Sequence, residues 1–241
     1  MQEKTTQERR ICRLYDRTIG KAVPRGCLLV IILMIAINCS VYFFTELLLG
    51  EDAVYHSLAI PLDGRIPLVP AFMIPYVLSY VLWVGTPIFL AWRDRTRFFD
   101  MAAAFFLSIV IAFLFFYFFP VSIERPTVEG NDLFSVAVRY LYEIDAPRNL
   151  FPSLHCMHTW TCYLAIRGRR EYSPALRWGV FVFALFVFAS TVLLRQHYLA
   201  DIAGGILFAE LCTLLATKTK LSRILERGFT RLSDAIFFQK G

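Results

Sequence analysis

Six apolar runs, each near the length of a bilayer crossing, divide this chain and leave it few folds to adopt. They fall at residues 26–49, 67–92, 101–119, 150–166, 176–194 and 199–217. A helix of about 20 residues crosses the hydrocarbon layer at 1.5 Å of rise per residue. In lipid each backbone polar group must be satisfied within its own segment, which selects helices. The expectation is an all-α polytopic membrane protein, a bundle of six transmembrane helices. Hydrophobic residues make up 57% of the chain, above the roughly 45–50% of soluble domains. The fourth run is short and opens on Pro152-Ser153, so its outer end is expected to be recessed. The first run is too long for a removed leader and lacks a small-residue cleavage site.

Basic residues orient the bundle. Residues 1–25, the Arg93–Arg97 turn, the Arg167–Arg177 connection and the tail from Lys218 hold all but five of the 25 Lys and Arg. The exceptions are Arg65, Arg125, Arg139, Arg148 and Arg195. Basic loops favour the cytoplasmic side, so both termini are expected to be cytoplasmic. Residues 1–241 then form a single membrane domain: a basic cytoplasmic segment (1–25), a six-helix catalytic bundle (26–217) and a cytoplasmic tail (218–241). The net charge of +6 serves topology and attraction to anionic lipid, with no need of nucleic acid. Leu221, Ile224, Leu225 and Leu232 keep helical spacing, so the tail is expected to lie in the interface. The segment Glu8 to Tyr15 mixes apolar and basic residues in the same way. Six cysteines (Cys12, Cys27, Cys39, Cys156, Cys162, Cys212) form no CxxC pair and read as small hydrophobes.

The two loops on the other side, 50–66 and 120–148, are rich in charge, and both histidine-bearing segments open onto the same side. In the run Arg195-Gln196-His197-Tyr198-Leu199-Ala200-Asp201, residues four apart share a face if helical. The carboxylate of Asp201 can then fix one imidazole nitrogen of His197 and leave the other as a nucleophile. In Phe151-Pro152-Ser153-Leu154-His155, proline suits a first turn and Ser153 an N-cap. A helix starting there aims N–H groups at an anion, and His155 can act as a general acid. Arg125, Arg195 and Arg148 lie on the same side, and a guanidinium fork meets phosphate oxygens in pairs.

Arg125-Pro126, Pro152-Ser153-Leu154-His155 and His197-x-x-x-Asp201 resemble the three ordered motifs of the type 2 phosphatidic acid phosphatase (lipid phosphate phosphatase) superfamily. The resemblance covers about residues 60–215. It implies that His197 is a nucleophile passing through phosphohistidine, that Asp201 orients it and that His155 is the general acid. It implies a lipid substrate bound by Arg125, Ser153, Leu154, Arg195 and Arg148. No metal or other cofactor is implied, and the active site belongs on the extracytoplasmic side of the plasma membrane. Several positions depart from the usual pattern. Phe118 stands where the first motif has lysine, Leu154 where the second has glycine, and Thr191 where the third has arginine. Ser190 matches, and Arg195, four residues after Thr191, stays on the same face if the helix continues. With Gln196-His197-Tyr198 and the run from Asp63 to Pro70, these departures resemble the branch of inositol phosphorylceramide and sphingomyelin synthases. That branch moves a phospho-headgroup between lipids, so water and a lipid alcohol are both open as acceptors.

Two other readings stay open on the residues alone. His155, His158, His197 and Asp201 make a possible four-ligand metal set. Glu210, deep in the last run, marks a function of another kind, a transporter or scaffold.

Overall fold

The computed structural model describes residues 14–50 and 53–237, all helix, turn and loop with no strand among them. The basic residues up to Arg13, Cys12, and Glu51 and Asp52 of the first charged loop lie outside the described residues. Among the described residues, after a short helical stretch at 14–17, eight helices run in order: α1 (Arg25–Leu49), α2 (Met73–Arg93), α3 (Arg95–Phe118), α4 (Leu133–Ile144), α5 (Leu154–Ile166), α6 (Pro174–Leu193), α7 (Leu199–Lys218) and α8 (Leu221–Phe237). Short 3-10 turns precede α1 and α2 and interrupt the loop between them.

Five of these are long and apolar enough to cross a membrane: α1, α2 with its leading turn, α3, α6 and α7. Their outward surfaces carry large apolar side chains such as Ile32, Phe43, Val81, Trp92, Val110, Leu207 and Leu214. That inverted surface suits a lipid solvent, and the chain has the architecture of a multi-pass membrane protein. The sixth expected span is α5, which has 13 residues and reaches only about 20 Å. It starts at Leu154, not at residue 150, because Ser153 caps it by accepting the Cys156 N–H at 3.3 Å. Pro152 therefore precedes the cap and does not occupy the first turn. Nearly all of α5 is buried; a helix lined by protein needs neither the length nor the hydropathy of a lipid-facing one.

Small residues let α5 sit close to its neighbours. A Cβ on Gly205 of α7 would meet the Ser153 carbonyl and Cys156 Cβ at 2.9 Å, and one on Gly204 would meet the Phe151 ring. Ala103 and Ala104 of α3 pack against Cys212 and Ala216 of α7 in the same manner. Helices in lipid associate through such close backbone approach. Gly204 and Gly205 thus form the seam of the α5–α7 contact.

Helix α3 starts two turns earlier than expected, because Asp94 accepts the Arg97 N–H at 3.1 Å as its N-cap. The tail folds as α8 and packs Leu221, Leu225 and Phe229 on the bundle. Arg95 pairs with Glu226 at 3.1 Å and donates to Thr230 at 2.8 Å. Ile224, Leu232 and Ile236 face outward from it. Of the described cysteines, Cys27, Cys156, Cys162 and Cys212 are buried, Cys39 is exposed, and all are free thiols.

Helix α4 was not expected within the charged 120–148 loop. Asp132 caps it, accepting from Phe134 and Ser135 N–H groups. Val138 and Leu141 then turn inward against Tyr76 and Leu194. The loops at this end are tied together by backbone bonds, His56 to Pro120, Ser122 to His56, Ile123 to Pro147 and Val69 to Leu193. They make a rigid cover over the end of the bundle where α5 begins.

Candidate active site

His197 lies in the five-residue turn between α6 and α7, just before the N-cap Tyr198. The expectation of a shared helical face is corrected here. The histidine is outside the helix, and its ring turns back to Asp201, the third residue of the helix. His197 Nδ1 donates to Asp201 Oδ2 at 3.2 Å, and the Tyr198 N–H donates to the same oxygen at 2.9 Å. A carboxylate at that position satisfies a free helical N–H and meets the positive end of the helix dipole. Asp201 is fully buried, and its backbone carbonyl accepts the Ser153 N–H at 3.2 Å. One residue thus fixes the imidazole and pins the start of α5 to the start of α7.

His155, in the first turn of α5, faces His197 with ring centroids 6.4 Å apart. Tyr76 stacks on it at 4.1 Å, and Tyr80 and Trp83 close its other sides. Its Nε2 is buried without a hydrogen-bond partner. Leaving a buried polar atom unpaired is costly. Ser153 spends its hydroxyl on the cap. The Leu154 side chain is buried in the main apolar core, so only its backbone faces the helix start.

Arg125 reaches the same place from the loop after α3, with its side chain 8% exposed. It donates to the Asp145 carbonyl and to Gln196 Oε1, lies 3.7 Å from Asp145 Oδ2 and covers the Tyr142 ring at 4.7 Å. Burial lowers the Arg125 pKa, and Asp145 opposes that shift; a guanidinium stays charged under it. Arg148 sits at the rim, paired with Glu46 at 3.2 Å and donating to the Tyr55 hydroxyl at 3.4 Å. His155, His197, Arg125, Arg148, Asp145, Asn149, Gln196, Tyr42 and Tyr76 are among the residues that enclose a crevice of about 10 Å³.

Arg195 is not in that crevice. Helix α6 ends at Leu193, so the face shared with Thr191 does not continue. Arg195 adopts a left-handed backbone, φ 53°, which few non-glycine residues do. Its guanidinium donates to the Asp63 carbonyl at 2.6 Å. It lines a separate cavity of about 660 Å³ among the loops before α2 and after α3, with Tyr55, His56, Asp63, Glu124 and Tyr198, and Arg125 lines both spaces. Phe118 points outward, 74% exposed, and Thr191 is buried with its hydroxyl on the Phe188 carbonyl. Neither supplies a cation.

Several lining residues, Gln196, Asn149, Asp145, Tyr42 and Tyr76 among them, were not singled out as site residues from the sequence. Gln196 and Asn149 are buried polar side chains whose Nε2 and Oδ1 are unpartnered, and Asp145 holds Arg125. The left-handed backbone of Asn149, φ 61°, is a type of turn that asparagine tolerates. The proposed four-ligand set does not converge. His158 turns to Asn38 of α1 at 2.9 Å and lies between Phe105 and Trp83. No cluster of three metal-binding side chains occurs among the described residues. Glu210 has partners that the sequence did not reveal. It takes both Arg167 nitrogens, at 2.7 and 3.1 Å, and the Trp160 indole N–H at 3.1 Å.

No curated protein and no solved structure matches this chain. The profile of the PAP2 superfamily matches residues 51–215, a span that holds Arg125, His155, His197 and Asp201. The chain therefore belongs to the PAP2 superfamily, with the apolar helical fold of a membrane phosphatase-type protein.

Proposed function

We propose that this protein cleaves the phosphate ester of a membrane lipid through a phosphohistidine at His197. One juxtaposition supports this most. An imidazole held by a buried carboxylate faces a second imidazole with an unpaired Nε2, in a crevice walled by a buried arginine. With Nδ1 donating to Asp201, the His197 tautomer leaves the Nε2 lone pair for phosphorus. The P–N bond forms as the P–O bond to the lipid backbone breaks. His155 passes its proton to the departing oxygen. Water or a lipid alcohol then attacks phosphorus, His155 takes its proton, and the P–N bond breaks.

Arg125 would hold the equatorial oxygens, whose charge grows in the five-coordinate transition state. A crevice of about 10 Å³ has room for about one water. Entry of a phosphate must therefore part Arg125 from Gln196 and give the unpaired Gln196 and His155 nitrogens something to hold. Phospho-headgroup transfer to a lipid alcohol is the second reading. The 660 Å³ cavity sharing Arg125 favours it, because simple phosphate hydrolysis has no headgroup to house. The basic residues at the far end of the helices support an extracytoplasmic site.

The test is release of diacylglycerol from short-chain lipid phosphates by the purified full-length chain. His197→Ala should abolish release while its helical circular dichroism and thermal unfolding match the parent. Turnover surviving in that variant would remove His197 as the nucleophile.

A further inference from the structure

Every cation at the histidine crevice already has a carboxylate. Arg125 contacts Asp145 through its carbonyl and its Oδ2 at 3.7 Å, and Arg148 pairs with Glu46 at 3.2 Å. Asp201 adds a third carboxylate behind His197, itself fully buried. Asp145 is the one of the three that lines the crevice. Around it stand Tyr42 and Glu46 of α1, Tyr76 of α2, Arg125 and Arg148 from the loops, His155 of α5, and Gln196 and His197 of the last turn. With His155 protonated as the general acid, the three carboxylates still balance the three cations (Arg125, Arg148 and His155), so this setting has no surplus positive charge to offer an entering anion.

We infer that Asp145 sets the charge of the phosphate that the site accepts, admitting a monoanionic phosphodiester and resisting a dianionic phosphomonoester. The inference rests on the function proposed above. A phosphate between Arg125 and the histidines lies beside the Asp145 carboxylate, and like charges at such distances in a half-buried site repel appreciably. A phosphodiester bears one charge at any working pH, whereas a monoester gains its second near pH 6. The Asp145 pKa is raised, by burial first and by the nearby Glu46 carboxylate, against the opposing charges of Arg125 and His197.

Two dioctanoyl lipids with identical tails, phosphatidate and phosphatidylglycerol, provide the test, with the full-length protein in detergent. The ratio of their kcat/KM values cancels any general loss from a displaced Arg125. Asp145→Asn should raise the monoester-to-diester ratio at pH 8 by on the order of 10-fold. At pH 5, where the monoester is mostly singly charged, the same substitution should move the ratio far less. Should the variant lose turnover, the ratio of the two dissociation constants, read from ligand-induced thermal shifts, must move in the same direction. A ratio indifferent to residue 145 at both pH values, in a wild type that turns over these lipids, overturns the inference alone. A wild type that cleaves neither lipid and forms no phosphohistidine overturns the proposed function and takes the inference with it.

Discussion

Asp201 Oδ2 serves two donors, the His197 ring and the Tyr198 backbone, and that economy makes it sensitive. Asp201→Asn should keep the helix start but misdirect the tautomer, lowering kcat by on the order of 10³; retained turnover with short-chain lipid phosphate would argue against an orienting role. Among the arginines, Arg125→Ala should raise the barrier by about 2–4 kcal/mol. Arg195→Ala should have a clearly smaller effect on kcat, because that guanidinium reaches Asp63 in the loop before α2 and not the crevice. Equal losses in the two variants would contradict the geometry. The His197–Asp201 pair could be read from the sequence because its spacing is local. The roles of Gln196 and Asp145 could not, because their shared partner Arg125 lies up to 71 residues away in sequence. Arg195 misled for a related reason, since its direction depends on a backbone reversal at φ 53° that residue types alone do not announce.

The short helix α5 depends on its contact with α7 for its place. Gly205→Ala would put a Cβ 2.9 Å from the Ser153 carbonyl and Cys156 Cβ, forcing the N-terminus of α5 away. Thermal unfolding should show a loss of about 1–3 kcal/mol. Turnover should fall as well, since Ser153 bonds the Asp201 carbonyl. A stable, active Gly205→Ala variant would mean that the two helices have more slack than this. The long helices were legible in the sequence because lipid demands apolar length, and their limits shifted by only a few residues at most ends. Helix α4 was missed because charge along residues 120–148 masked a short amphipathic stretch behind the Asp132 cap. The start of α5 was legible at its Ser153 cap, whereas the apolar run from residue 150 overstated its length because buried residues there show no lipid-facing pattern.

Across the whole molecule, the loops carrying the histidines gather at one end and the basic connections at the other. If the histidine end is extracytoplasmic, a Glu129→Cys variant in a Cys39→Ser background should react with a membrane-impermeant maleimide on intact cells. Labelling only after lysis would invert the topology. The Glu210–Arg167–Trp160 cluster answers the question that an isolated intramembrane carboxylate poses. The charge is held by one guanidinium and an indole. The central claim is covalent chemistry at His197, and it is tested most directly by rapid quenching with a ³²P-labelled lipid phosphate, followed by peptide mapping. The account predicts acid-labile, base-stable label on the peptide containing His197, absent in His197→Ala and undiminished by a chelator. Label on another residue, or turnover without any covalent label when quenching outpaces breakdown, would contradict it.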